Sequence, residues 1–468
     1  MHEEICYLDA TELAARVRTG ALSPVEITRA YLDRIEALNA RLNAFVTLNP
    51  AALDEARAAE AAVRRGDRLG PLHGVPVSAK DCFDTAGLRT TRGSRLFADR
   101  VPKGDATAVS RLRQAGAVFL GKTNIPEFAL SWETDNLVFG RTRNPWNPER
   151  IAGGSSGGEA AALAAGLTAL GLGSDLGGSV RQPAHCCGVV GLKPTHGRVP
   201  LTGHWPDTIL RAMHVGPLAR TVRDLGLALS VLGGPDGHDP YAVPVPPVTM
   251  PEAPASVAGL RVGVSLDGGA APVDPDVRRI VDAAARRLAA LGCHVEPARI
   301  PALDERDWNV LTMTLYGAEA GSFLAPIVAG RTADLHPAIQ RRLAFTVESL
   351  GQYIDALAEW ERLRQETAAF FTRHDLLLGP CAPLPAHPHD LVEVSVEGRA
   401  LPARHVLRAT IPWDLTGSPA LALSFGWSGD GLPIAVQLVG RHFDEATVLR
   451  AALALEASSA VAGRRPAL

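Results

Sequence analysis

Two serines framed by glycines are the groups in this chain best suited to chemistry: Gly153-Gly154-Ser155-Ser156-Gly157-Gly158, and then Gly177-Gly178-Ser179. Glycine admits backbone conformations that side chains resist, so such turns can aim several N–H groups at one point. Hydroxyls and N–H groups that converge in this way suit attack on an acyl carbon, provided a base accompanies them. Other readings of the glycines fail. Val180 and Arg181 follow Ser179, so the G-x-S-x-G nucleophile turn is missing. Neither cluster continues into Gly-Lys-Ser/Thr, and the spacing Gly171, Gly173, Gly177 misses the dinucleotide fingerprint by one residue.

Histidine is the usual base for a serine nucleophile, and the chain has 14 histidines. His185 and His196 fall close to Ser179 in sequence, but neither has an Asp partner at a recognisable spacing. A lysine serves instead where burial disfavours its ammonium form. Lys80 ends the apolar run Val75-Pro76-Val77-Ser78-Ala79, which makes it the better candidate.

These groups need elements to position them. Asp9 and Ser23 cap two helices at the start of the chain, the second with Pro24 at its first turn and Glu26 as capping glutamate. A third helix is expected after Asn49-Pro50. Short apolar runs at 75–78, 118–121 and 170–174 then alternate with helical patterns such as 106–115, which predicts an α/β sheet covered by helices on both faces. The run 160–173, too short to span a bilayer, reads as a buried helix. A proline-rich stretch at 243–254 looks like an exposed connection. Beyond it, 260–264, a helix from about Asp274 and 294–300 form a β-α-β unit. Residues 303–374 look mostly helical, with Trp308, Tyr316 and Trp360 supplying either a pocket wall or a second helical layer, the second being the favoured reading. Strands at 376–378, 420–425 and 433–439 and a helix at 445–458 return the chain to the sheet.

Composition narrows the partners. With 468 residues, 46% hydrophobic, 21% charged and a net charge of -3, the chain reads as an ordinary globular protein with a sizeable core. No basic stripe points to nucleic acid. The acidic Met1-His2-Glu3-Glu4 start lacks the basic and apolar regions of a signal peptide. Six cysteines without a C-x-x-C pair suggest neither zinc nor a disulfide framework, and a reducing cytoplasm is expected. His387-Pro388-His389-Asp390 sits among prolines and reads as a solvated loop, not a metal site.

At this point the residues resemble the amidase signature family. The resemblance rests on His73-Gly74-Val75-Pro76 leading to Lys80-Asp81, then Gly121-Lys122-Thr123-Asn124-Ile125-Pro126-Glu127-Phe128 and Asn144-Pro145-Trp146-Asn147. It continues through residues 153–158, 174–181 and Gly191-Leu192-Lys193-Pro194-Thr195, and it extends over nearly the whole chain. It implies one α/β/α domain over 1–468 around a central mixed β-sheet. Within that domain we expect an N-terminal helical region (1–70), a catalytic core (71–242), the proline-rich connection (243–259), a more variable, partly helical pocket region (260–375) and a C-terminal return to the sheet (376–468).

The resemblance also implies roles. Ser179 would be the nucleophile, Lys80 the neutral base, and Ser155, typically preceded by a cis peptide bond, the proton relay between them. The N–H groups of Leu176, Gly177, Gly178 and Ser179 would line the oxyanion hole, and Asp175 and Arg181 would hold the glycine turn. Ala129, Leu130, Trp132 and Ser156 are the candidates for contact with substrate. Ser156 also reads as a structural hydroxyl, Lys122 and Lys193 as structural lysines, and Cys187 as a packing residue. No metal or organic cofactor is needed, and neither nucleic acid nor membrane is expected as partner. Monomer and homodimer both remain open.

His185-Cys186, Gln182 and Asp414 depart from the family pattern, leave the triad intact and bear on substrate choice. Trp132, the segments 204–205 and 209–213, Trp308, Tyr316 and Trp413 suggest an apolar or aryl amide, with carbamates (urethanes), anilides and nylon-like oligomers as variants. A glutaminase subunit of a tRNA-dependent amidotransferase is the main rival reading. A non-catalytic member of the fold is a further one.

Overall fold

The computed structural model describes residues 2–248 and 256–468. Thirteen strands occur in it: β1 (Phe45–Leu48), β2 (Pro76–Lys80), β3 (Val118–Thr123), β4 (Leu170–Asp175), β5 (Val190–Lys193), β6 (His214–Ala219), β7 (Arg261–Val264), β8 (His294–Pro297), β9 (Leu376–Pro380), β10 (Glu393–Val396), β11 (Arg399–Pro402), β12 (Ala420–Trp427) and β13 (Pro433–Gly440). Eleven of them form one sheet in the order β1-β3-β2-β4-β6-β5-β12-β13-β9-β7-β8, and β10 and β11 make a separate hairpin. The sheet is mixed. β2 runs parallel to β3 and β4, and β7 runs parallel to β8 and β9. β4 is antiparallel to β6, and β12 to both β5 and β13.

The pattern of residues explains the layers. Every residue of β2, β3, β4 and β13 is buried, as expected where helices cover both faces and strands read as continuous apolar runs. Caps behave as the sequence predicts: Asp9 accepts from the Glu12 N–H at 2.7 Å, and Ser23 accepts from the Val25 N–H at 3.0 Å. Asn43, in the left-handed region at φ 52°, ends the helix Pro24–Leu42.

The run at 160–173 is not one helix. The helix Gly157–Ala164 stops, Gly166 turns the chain at φ 69°, and β4 begins at Leu170. Small residues fill both pieces and both are fully buried, so composition alone did not reveal the break. The N-terminal helix His2–Tyr7 and strands β1, β5 and β6 were not anticipated either. Residues 243–248 carry no regular structure, and the rest of the expected connection, at 249–255, lies outside the described residues.

A second, smaller apolar cluster stands apart from the main core. Phe128, Leu130 and Trp205 pack there with Leu324, Val328, Leu335 and Ile339. It fastens the helices Trp308–Val328 and Pro337–Leu343 onto the turn after Pro126, and so places a wall opposite the ends of β2 and β4. No helix among the described residues is long and apolar enough to cross a membrane.

Candidate active site

β2 and β4 are parallel neighbours, with Ala79 opposite Leu172, so Lys80 and the Ser174-Asp175 end of β4 reach the same edge of the sheet. Lys80 is fully buried. Its Nζ lies 2.7 Å from Ser155 Oγ, 3.0 Å from Ser174 Oγ and 3.2 Å from the Ser174 carbonyl oxygen. No ion pair accompanies it among the described residues. Burial pushes its pKa down, opposed only by the more remote Cys82, Asp175 and Glu159. An amine so placed favours its neutral form, which can accept a proton from Ser155.

Ser155 follows a cis Gly154–Ser155 peptide bond and is 1% exposed. A Cβ on Gly154 would come within 2.7 Å of the Ser131 carbonyl oxygen and of the Trp132 backbone, so the segment carrying the substrate-side residues approaches the serine turn as closely as only glycine permits. The Gly154 N–H donates to Gln182 Oε1 at 2.8 Å, which gives one departing residue a definite structural task. The next N–H, of Ser156, donates to the Ser179 carbonyl at 3.1 Å. That bond ties the two glycine-serine turns together.

Ser179 is partly exposed and lines a small cavity of about 40 Å³ with Gly177, Leu176, Ala129, Leu130 and Trp132. The expected contact residues Ala129, Leu130 and Trp132 therefore converge on Ser179. Phe128 and Ala129 hold left-handed backbone at φ 60° and 56°. Such strain in non-glycine residues is common where a site must be shaped. Ser156 does not line this cavity. It is fully buried, and its hydroxyl reaches the Ser174 carbonyl at 3.5 Å, so its expected substrate contact gives way to the structural role.

The turn itself is held by Asp175. Its carboxylate accepts from the N–H groups of Gly178 at 2.5 Å and Val180 at 3.0 Å, and from Arg181 Nε at 3.0 Å. Gly178, at φ 123° with Thr410 packed where a Cβ would stand, thus spends its N–H on Asp175. This removes Gly178 from the four expected oxyanion donors, and leaves Leu176, Gly177 and Ser179 as the candidates on the cavity wall. Burial would raise the Asp175 carboxyl, but the Arg181 guanidinium and the N–H donors hold it well below the usual range. Arg181 is fully buried and also donates to Asp414 Oδ2 at 2.7 Å, Gln437 Oε1 at 2.8 Å and the Thr410 carbonyl at 2.9 Å. Asp414, another of the departures, is therefore a ligand of this arginine and does not line the cavity.

The rejected bases lie elsewhere. His185 is buried between the Leu384 carbonyl and the Ala435 N–H, its pKa pushed down by burial to about 4. His196 contacts the Leu210 carbonyl. In the segment read as a solvated loop, His387 is in fact buried against the Pro388 carbonyl, and His389 contacts Glu133.

Four cavity residues come from the outer helices and the 3-10 turn beside them: Tyr316, Arg342, Arg404 and Leu407. Tyr316 donates to the Leu176 carbonyl at 2.7 Å, joining wall to turn. The two arginines were not foreseen from the sequence. The expected aromatic lining reduces to Trp132 and Tyr316, because Trp308, Trp413 and Trp205 do not line the cavity.

Comparison with known proteins agrees with this geometry. The chain is 40% identical to a glutamyl-tRNA(Gln) amidotransferase subunit from Moorella thermoacetica, with 99% of each chain covered. Among solved structures it resembles a protein of a vestigial complex that bears on the origins of an s-triazine catabolic enzyme, with TM-score 0.90, 34% identity and 98% and 100% of the two chains covered. It also resembles a bacterial aryl acylamidase of the amidase signature family, with TM-score 0.89, 29% identity and 98% and 99% covered. The family model for amidases matches residues 26–449, a span that takes in Lys80, both glycine-serine turns and the sheet carrying them, and the chain belongs to the amidase family.

Proposed function

We propose that this member hydrolyses the C–N bond of a small amide through an acyl-enzyme on Ser179. The carrying observation is a buried lysine with no carboxylate partner among the described residues, 2.7 Å from the Ser155 hydroxyl. In this reading Ser179 Oγ attacks the acyl carbon while its proton passes to Ser155, and the Ser155 proton passes to neutral Lys80. The Leu176, Gly177 and Ser179 N–H groups stabilise the oxyanion. Ser155 then protonates the leaving nitrogen, because an amide anion is a very poor leaving group. Water, activated by the same relay, attacks the acyl-enzyme and frees Ser179. The six buried, unpaired cysteines support work in a reducing compartment, the cytoplasm.

A second reading, a glutaminase that works within an amidotransferase complex, is favoured by the full-length likeness to the Moorella thermoacetica protein. The purified chain assayed alone on amides, anilides, carbamates and glutamine separates the two. Turnover of simple amides without a partner, lost in Ser179→Ala, is the outcome expected for the free-standing amidase. Glutamine as sole substrate, cleaved only when partner proteins are added, would carry the second reading instead.

A further inference from the structure

The wall opposite Ser179 holds two arginines that no carboxylate among the described residues pairs with. Arg342 comes from the helix Pro337–Leu343 and Arg404 from the 3-10 turn Ala403–Leu407, and both line the cavity with Ser179, Gly177 and Tyr316. Arg404 is held in place by neutral acceptors, the Asn309 carbonyl at 2.6 Å and Thr312 Oγ1 at 3.1 Å. The acid nearby, Asp307, is taken by Arg408 at 2.7 Å. Arginines that border these outer helices do find carboxylates: Arg306, just after the helix Pro301–Glu305, pairs with Glu359 at 2.9 Å, and Arg211, from the turn Leu210–Ala212, pairs with Glu319. Burial and the neighbouring Arg342 push Arg404 down to about 9, and burial pushes Arg342 down as well, the direction expected where two guanidiniums sit side by side.

A pair of guanidiniums kept together without a counter-ion is costly unless a ligand supplies one, and the planar fork of arginine matches a carboxylate. Leu130, Leu407 and Leu176 supply apolar wall, Ser131 and Tyr316 add only neutral hydroxyls, and no carboxylate lines the cavity among the described residues. A cavity of about 40 Å³ suits a short acyl chain.

We infer that the acyl half of the substrate is short, carries a carboxylate that Arg342 and Arg404 hold, and carries no ammonium group. This rests on the amidase reading and sharpens it: the substrate class is the monoamide of a small dicarboxylic acid. The zwitterion of glutamine is disfavoured, since its ammonium would face two guanidiniums and no acid.

Binding tests this apart from turnover. Ser179→Ala protein is titrated calorimetrically with the monoamides of malonic to adipic acid, with the neutral alkyl amides of matching length, and with glutamine. The best monoamide should bind at least about 10-fold tighter than its neutral counterpart, as charge-assisted pairing would give. Glutamine should bind more weakly than the monoamide of glutaric acid. Arg342→Met should erase the preference for the anion, whereas Arg404→Lys, which keeps the charge but loses the fork, should retain part of it. Equal binding of neutral amides, tighter binding of glutamine, or no binding by any monoamide overturns the inference. Anion-selective binding in a protein whose wild type cleaves no amide would leave the pocket assignment standing and overturn the catalytic reading.

Discussion

Two sets of arginine meet around Ser179, and the molecule treats them in opposite ways. Below the nucleophile turn, Arg181 is fully buried and finds Asp175, Asp414, Gln437 and the Thr410 carbonyl. Above it, Arg342 and Arg404 are partly buried and have no carboxylate among the described residues. A saturated buried cation fixes geometry, because any motion breaks several bonds at once. An unsaturated one at a cavity wall leaves its strongest interaction for something that comes and goes. The difference separates the part of the site that breaks the bond from the part that chooses the molecule.

The saturated half should yield the largest effect. Lys80→Met is expected to lower amide hydrolysis by about 10⁴-fold, the upper range for loss of a general base, with folding retained. A p-nitrophenyl ester, whose leaving group needs no proton, should lose much less. The pH profile gives the sign. Burial lowers the Lys80 pKa, and the reactive form is the neutral amine, so wild-type activity rises with pH through that lowered value. The native state also binds fewer protons than the unfolded chain between the lowered pKa and the ordinary lysine range, so stability rises with pH over that window. Lys80→Met should remove both the acidic limb and this part of the stability slope. An unchanged limb would mean that another group is the base.

The same substitution made on each side of Ser179 tests the comparison directly. Arg181→Met strands two buried carboxylates and should cost about 3–5 kcal/mol, read by urea unfolding. Arg404→Met removes two hydrogen bonds to neutral acceptors and also relieves repulsion with Arg342, so its cost should stay within about 1 kcal/mol. Equal losses would show that the outer arginines are structural too.

This division also explains what was legible in the sequence. Lys80 stood out because a charged residue closes a mostly apolar strand, and the serines because glycines surround them. The sheet followed from apolar runs, but the run at 160–173 misled, since small residues carry no period that separates helix from strand. The engagement of the Gly178 N–H was in principle readable, for Asp175 stands three residues earlier, where its side chain can bond back to the chain. Arg342 and Arg404 were not readable. They lie far from Ser179 along the chain, among many arginines, and it is tertiary packing, through the small apolar cluster around Phe128 and Trp205 and the Tyr316 bond to the Leu176 carbonyl, that brings that wall to the turn.

The smallest effect is expected at the residue beside the relay. Ser155 and Ser156 are adjacent, both buried, and alike in sequence. Yet Ser155 Oγ is 2.7 Å from Lys80, whereas Ser156 Oγ reaches only the Ser174 carbonyl at 3.5 Å, a separation at which a hydrogen bond contributes little. The N–H that ties the two turns belongs to the Ser156 backbone and survives a change of side chain. Ser156→Ala should therefore change stability by less than about 1 kcal/mol and kcat/KM by less than about 3-fold, on the scale of a single weak neutral bond. A loss approaching that of Lys80→Met would mean that the Ser156 hydroxyl joins the proton path and that the relay is wider than one serine.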